Sequence, residues 1–106
     1  MDITPMEPRG IIVEQLAAAA ERRARQLGLV FAPSARPLMR ELIENAADQM
    51  VQQGQATDEG LRAATSIIVV LVGELGKEVR RTPRRNVDEK VFLSVISRFC
   101  PRPPIC

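Results

Sequence analysis

The feature that most constrains the fold is an unbroken run of large apolar residues, Ile67-Ile68-Val69-Val70-Leu71-Val72. β-Branched residues dominate this run, and on their own they favour a strand. Apolar residues recur at helical spacing, however, over the longer range 61–79, which exceeds an ordinary strand. No other segment offers a strand to pair with it. We therefore predict a long helix that is apolar on nearly all sides and lies at the centre of the fold.

The same periodicity predicts three further helices, bounded by recognisable start and stop residues. Thr57 is suited to cap the central helix, and Asn86 is suited to cap the last helix, with Glu89 completing a capping box. Gly28 and Gly54 are suited to end the first two helices. The predicted helices span roughly 10–27, 36–53, 58–81 and 87–99. The short loops between them predict an all-α, four-helix antiparallel bundle.

Residues 1–106 are predicted to form one helical domain, because the length suits a single core and no long linker divides it. Residues 1–9 are predicted to be an extended N-terminal tail. Residues 101–106 contain three prolines and are predicted to be an extended C-terminal tail.

The composition argues against several classes of function. The chain has no His, which is the commonest general acid–base residue and a common metal ligand. Its two cysteines, Cys100 and Cys106, do not match a metal or redox spacing and are expected to be reduced thiols. No phosphate-binding or dinucleotide-binding motif occurs. We therefore predict a protein that is not an enzyme and that uses no cofactor or metal.

The candidate functional residues form a basic cluster just after the apolar run. Residues 77–85 contain five basic residues and one acid. The basic residues are Lys77, Arg80, Arg81, Arg84 and Arg85. One interpretation is structural, since cations at the end of a helix interact favourably with its dipole and solvent. The functional interpretation is a contact surface for an acidic partner, because arginine binds carboxylates and phosphates in bidentate geometry.

The functional hypothesis is a non-enzymatic protein–protein interaction module, a small adaptor, regulator or inhibitor that binds an acidic partner protein through this cluster. The alternative is a helical protein that binds nucleic acid weakly through the same residues. That alternative is less favoured, because the net charge is only +2 and there is no Trp or Tyr for base stacking.

The central helix has two interpretations. It can be the core helix of a monomeric bundle, or it can be a self-association surface, because three neighbours do not readily cover all sides of one apolar helix. We expect any homodimer to form through this helix. The first residues lack the pattern of a signal peptide, and no apolar stretch is long enough to cross a bilayer. The sequence therefore predicts a cytoplasmic protein with no membrane partner.

Overall fold

A computed structural model describes residues 8–81 and 86–99. The described residues form four α-helices and two short strands, in the order α1 (Pro8–Leu27), β1 (Val30–Phe31), α2 (Arg36–Gln52), α3 (Asp58–Arg81), β2 (Asn86–Val87) and α4 (Glu89–Phe99). The predicted all-α class with four helices is confirmed. The predicted tail at 101–106, Cys100 and Cys106 lie outside the described residues.

The central helix α3 has the predicted bounds. Its start is fixed by Thr57, whose Oγ1 accepts a hydrogen bond from the Gly60 backbone N–H at 3.0 Å. Asp58 and Glu59 in its first turn complement the positive end of the helix dipole. The cap and the acidic first turn that predicted this start are therefore present in the folded chain.

The first helix begins at Pro8, two residues before its predicted start. Proline is favoured at the first helical position, because the N–H that it lacks would have no partner within the helix. Arg9, which the sequence placed in a tail, forms an ion pair with Asp48 of α2. The first turn of α1 is thus tied to the second helix.

The first three helices alternate in direction. The Arg9–Asp48 ion pair joins the start of α1 to the later part of α2, so these two helices run in opposite directions. Leu16 and Ile68, near the middles of α1 and α3, line the same groove. Farther along both helices, Gly76 packs against Leu27, so α3 runs in the same direction as α1.

The helices pack with α1 and α3 as the central pair. The largest helix–helix contact joins α1 to α3, while α2 packs on α1 and α4 packs on α3. Every buried side chain among the described residues is hydrophobic. The largest fully buried ones are Leu16, Leu71, Leu75, Val72, Val87 and Val95. The long apolar helix thus contributes half of these side chains and lies at the centre of the core, as the sequence predicts.

The last helix starts differently from the prediction. Asn86 does not cap it; Asn86 and Val87 instead form β2, which pairs in parallel with Val30 and Phe31 of β1. The Val87 carbonyl also accepts a hydrogen bond from the Ala32 N–H at 2.8 Å, and the Val87 side chain is fully buried. These contacts hold the chain extended at 86–87, so α4 begins at Glu89 rather than at 87.

Asp88 caps the last helix in place of Asn86. Its Oδ1 accepts a hydrogen bond from the Val91 backbone N–H at 2.9 Å.

Losing such a cap costs about 1 kcal/mol. We expect Asp88→Ala to lower the free energy of unfolding, measured by urea denaturation, by about that amount. We expect Asn86→Ala to change it by less than about 0.5 kcal/mol, because the exposed Asn86 takes part through its backbone. A larger effect at Asn86 than at Asp88 would show that this assignment of the cap is wrong.

Candidate functional site

The predicted site residues Lys77, Arg80 and Arg81 lie together on the last two turns of α3, and we refer to these three residues as the basic end of α3. Their side chains are exposed. On the opposite side of the same turns, Leu75, Gly76 and Val79 are buried. Three and four residues along a helix return to the same face. The buried residues therefore fix the helix against the core and direct the three cations to solvent.

The two predicted site residues Arg84 and Arg85 lie outside the described residues. The three cations that are described stay together because α3 remains helical through Arg81. The structure therefore gives positions for Lys77, Arg80 and Arg81 of the predicted cluster. The contribution of Arg84 and Arg85 stays a prediction from the sequence.

The acids next to the basic end of α3 already have basic partners. Lys77 Nζ donates a hydrogen bond to Glu74 Oε2 at 3.3 Å, one turn earlier on the same helix. Glu78 Oε1 accepts a hydrogen bond from Arg98 Nη2 of α4 at 2.9 Å. The Glu78 side chain is only 19% exposed, whereas that of Arg98 is 55% exposed. Both carboxylates of this region are thus engaged by cations other than Arg80 and Arg81.

The side chains of Arg80 and Arg81 make no hydrogen bond or ion pair in the described part of the chain. Asp88, a nearby acid in the sequence, accepts the capping hydrogen bond from Val91. A favourable interaction with the helix dipole, about 0.3–1 kcal/mol for each cation, accounts for part of the cluster. The dipole does not occupy the hydrogen-bond donors of the two guanidinium groups, which remain available to a ligand.

Arg98 extends the basic surface and was not identified from the sequence. It stands far from residues 77–81 along the chain, and only the packing of α4 on α3 brings it to Glu78. A single basic residue near the end of a helix gives no sequence signal of such a contact. The ion pair holds the end of α4 beside the last turns of α3, so one side of the basic end is bordered by a fixed arginine.

A second basic region borders a groove between α1 and α2. The groove has a volume of about 620 Å³, and its apolar wall includes Ala17, Ala20 and Ala24. Among its basic residues, Arg25 is 3.8 Å from Glu21 and Arg40 is 3.1 Å from Glu44. Most of this charge is therefore paired within the chain, which makes the groove a weaker candidate than the end of α3.

A smaller groove of about 390 Å³ lies between α2 and α3. Leu16, Met50 and Ile68 form part of its apolar lining. Gln49 of α2 also lines it, together with Gln53 and Gln55 in the segment after that helix. Within the described ranges, no three or more His, Cys, Asp or Glu residues are grouped so that they could hold a metal ion. The same ranges contain no helix that is both long and apolar enough to span a membrane.

Comparison with known proteins adds no relative to these observations. No protein family model, curated protein or solved structure matches this chain. The case for a function therefore depends on the residues of the site.

Proposed function

We propose that this protein is a non-enzymatic protein–protein interaction module, a small adaptor, regulator or inhibitor that binds an acidic partner through the basic end of α3. The observation that carries the proposal is that the acids of this region are paired while two of its arginines are not. Glu74 and Glu78 are paired with Lys77 and Arg98, while Arg80 and Arg81 have no partner among the described residues. The module thus presents two guanidinium groups on a helix whose other face is fixed in the core.

The expected ligand is an acidic protein segment that presents several carboxylates. One exposed ion pair contributes only about 0.2–1 kcal/mol, so a single carboxylate would not bind usefully. Two adjacent arginines can each form a bidentate contact with a carboxylate. Because these contacts are exposed, salt should screen them strongly. The proposal therefore predicts modest affinity that falls as the ionic strength rises.

Nucleic acid remains the alternative ligand, since phosphates also suit arginine. The described residues give it less support, because Phe92 is buried and Phe31 is partly buried, so neither offers an open face for base stacking. Binding to duplex DNA would weaken with salt in proportion to the number of phosphates contacted. Both kinds of binding weaken with salt, so the relative affinity for duplex DNA and for an acidic peptide at the same salt concentration distinguishes the two ligands.

The test is binding of a short, fluorescently labelled glutamate-rich peptide at low salt. Reversing both charges, in Arg80→Glu with Arg81→Glu, should weaken binding at least about tenfold, which corresponds to about 1.4 kcal/mol. The matched control is Arg22→Glu with Arg62→Glu, two exposed arginines away from both the basic end of α3 and the α1–α2 groove, which change the net charge equally. The control variant should retain most of the binding, and circular dichroism should show both variants folded.

Equal loss of binding in both variants would contradict a local site and indicate attraction by net charge alone. Duplex DNA that binds more tightly than the peptide, with a steep salt dependence, would favour the nucleic-acid alternative.

We also propose that the protein is cytoplasmic. Fractionation of cells that express the tagged chain would test this location.

A further inference from the structure

The outward face of α3 carries exposed residues along the whole length of the helix. Val70, at its centre, is 53% exposed. The exposed residues of this face include, in chain order, Glu59, Ala63, Val70, Lys77 and Arg81. Val70 lies within the longest apolar run of the chain, and packing within one chain leaves it exposed. This face is therefore a candidate contact surface.

Two opposite charges mark the ends of this face symmetrically about Val70. Glu59 and Arg81 stand equally far from Val70 along the chain, one before it and one after it. Each separation is about three helical turns, or about 16 Å, so the three side chains lie on nearly one line along the helix. The face thus begins with an acid, has a valine at its centre and ends with a base. A helix with this pattern is complementary to itself in the antiparallel direction.

We propose that a second copy of this chain occupies the face, with its α3 antiparallel to the first and the two Val70 side chains on the twofold axis. This arrangement puts Glu59 of each copy opposite Arg81 of the other. Ala63 of each copy falls opposite Lys77 of the other, about two turns from the axis. Such self-complementary contact is the usual geometry of a homodimer. The inference goes beyond the proposed function and does not rest on it.

The parallel arrangement is disfavoured by the same charges. It would set Arg81 against Arg81, Lys77 against Lys77 and Glu59 against Glu59 of the second copy, and like charges at such positions repel. The remaining acid on the face, Glu74, is already paired with Lys77 and falls opposite Ser66 of the second copy in the antiparallel arrangement. No like charges then face each other among these residues.

The contact is small. A helix of this length extends about 36 Å, so one helix face buries less than the roughly 800 Å² per partner of a standard interface. We therefore expect a weak dimer, with a dissociation constant on the order of tens of micromolar. The charged ends should make it weaker in high salt, since exposed pairs are screened.

The test is analytical ultracentrifugation of the full chain from micromolar to submillimolar concentration. Val70→Asp should raise the dissociation constant at least tenfold, because it sets two carboxylates against each other at the axis. The matched control is Val51→Asp on α2, since Val51 is 41% exposed and lies away from this face. Val51→Asp should leave the dimer unchanged. Equal effects of the two substitutions, or a wild-type chain that stays monomeric throughout, would overturn the proposal.

Charge exchange tests the register. Glu59→Arg alone and Arg81→Glu alone should each weaken the homodimer, while a mixture of these two variants should form a heterodimer in which both end pairs attract. Failure of the mixture to associate more strongly than either variant alone would overturn the antiparallel register. Because Arg81 belongs to both surfaces, peptide binding is compared well below the dimer dissociation constant, where the chain is monomeric. There the Val70→Asp variant should bind the glutamate-rich peptide as wild type does, so this test and the test of the proposed function can fail separately.

Discussion

Replacing Leu75 with alanine should lower the free energy of unfolding by about 3 kcal/mol or more, because it removes a fully buried side chain from the central helix and leaves a cavity. Leu75 is 0% exposed. A domain of this size is generally stable by only about 5–15 kcal/mol, so the loss is a large fraction of the total. Urea denaturation followed by circular dichroism at 222 nm measures it.

The matched control is Leu93→Ala on α4, where Leu93 is 49% exposed. This substitution removes the same atoms from a largely hydrated position, and we expect a loss of less than about 1 kcal/mol. If Leu75→Ala is unfolded without denaturant, its spectrum still separates it from the control. Similar losses at both positions would contradict the placement of α3 at the centre of the core.

Gly60→Ala should also destabilise the protein strongly, by about 1–3 kcal/mol, because the added methyl group has no room. A Cβ at Gly60 would overlap the backbone carbonyl oxygen of Gln55, and it would lie 3.4 Å from Thr57 Oγ1. A backbone atom cannot move aside as a flexible side chain can. The substitution therefore strains the turn that starts α3 and disturbs the Thr57 cap. Thermal and urea denaturation measure the loss.

Gly10→Ala provides the comparison at the corresponding position in the first turn of α1. Nothing lies within 4 Å of a Cβ added there. Alanine in a helix is favoured over glycine by up to about 1 kcal/mol, so we expect this variant to be as stable as wild type or slightly more stable. A Gly60→Ala protein that is as stable as Gly10→Ala would show that the turn at 55–60 is not as tightly packed as described.

The sequence predicted most of the helices because their signals are local. Thr57, the acids that follow it and the apolar repeat all lie within α3, and they were sufficient to predict its bounds. At α4 the prediction placed the cap at Asn86, although Asp88 is equally suited to cap a helix. Pairing of β2 with β1, a contact between distant parts of the chain, decides between them.

The arrangement of the helices could be predicted only in part. Short loops indicate that consecutive helices reverse direction, and α1, α2 and α3 alternate in this way. Loop length does not show that α3 packs mainly on α1, because that choice depends on how the side chains of three helices fit together.

The candidate site shows the same division between local and distant contacts. The clustering of Lys77, Arg80 and Arg81 follows from helical spacing and could be predicted. The pairing of Glu78 with Arg98 could not, since it depends on the packing of α4 against α3. This pairing strengthens the case for Arg80 and Arg81, because it occupies the acid nearest to them in the sequence.

The central claim, that the basic end of α3 binds an acidic partner, is tested most directly by NMR titration of the ¹⁵N-labelled chain with the glutamate-rich peptide. We expect the largest shift changes at the backbone amides of residues 77–81 and at Arg98, with the Arg80 and Arg81 side-chain signals also moving. These changes should diminish as salt is added. Changes centred instead on Arg36 and Arg40 at the α1–α2 groove, or no changes at low salt, would contradict the claim.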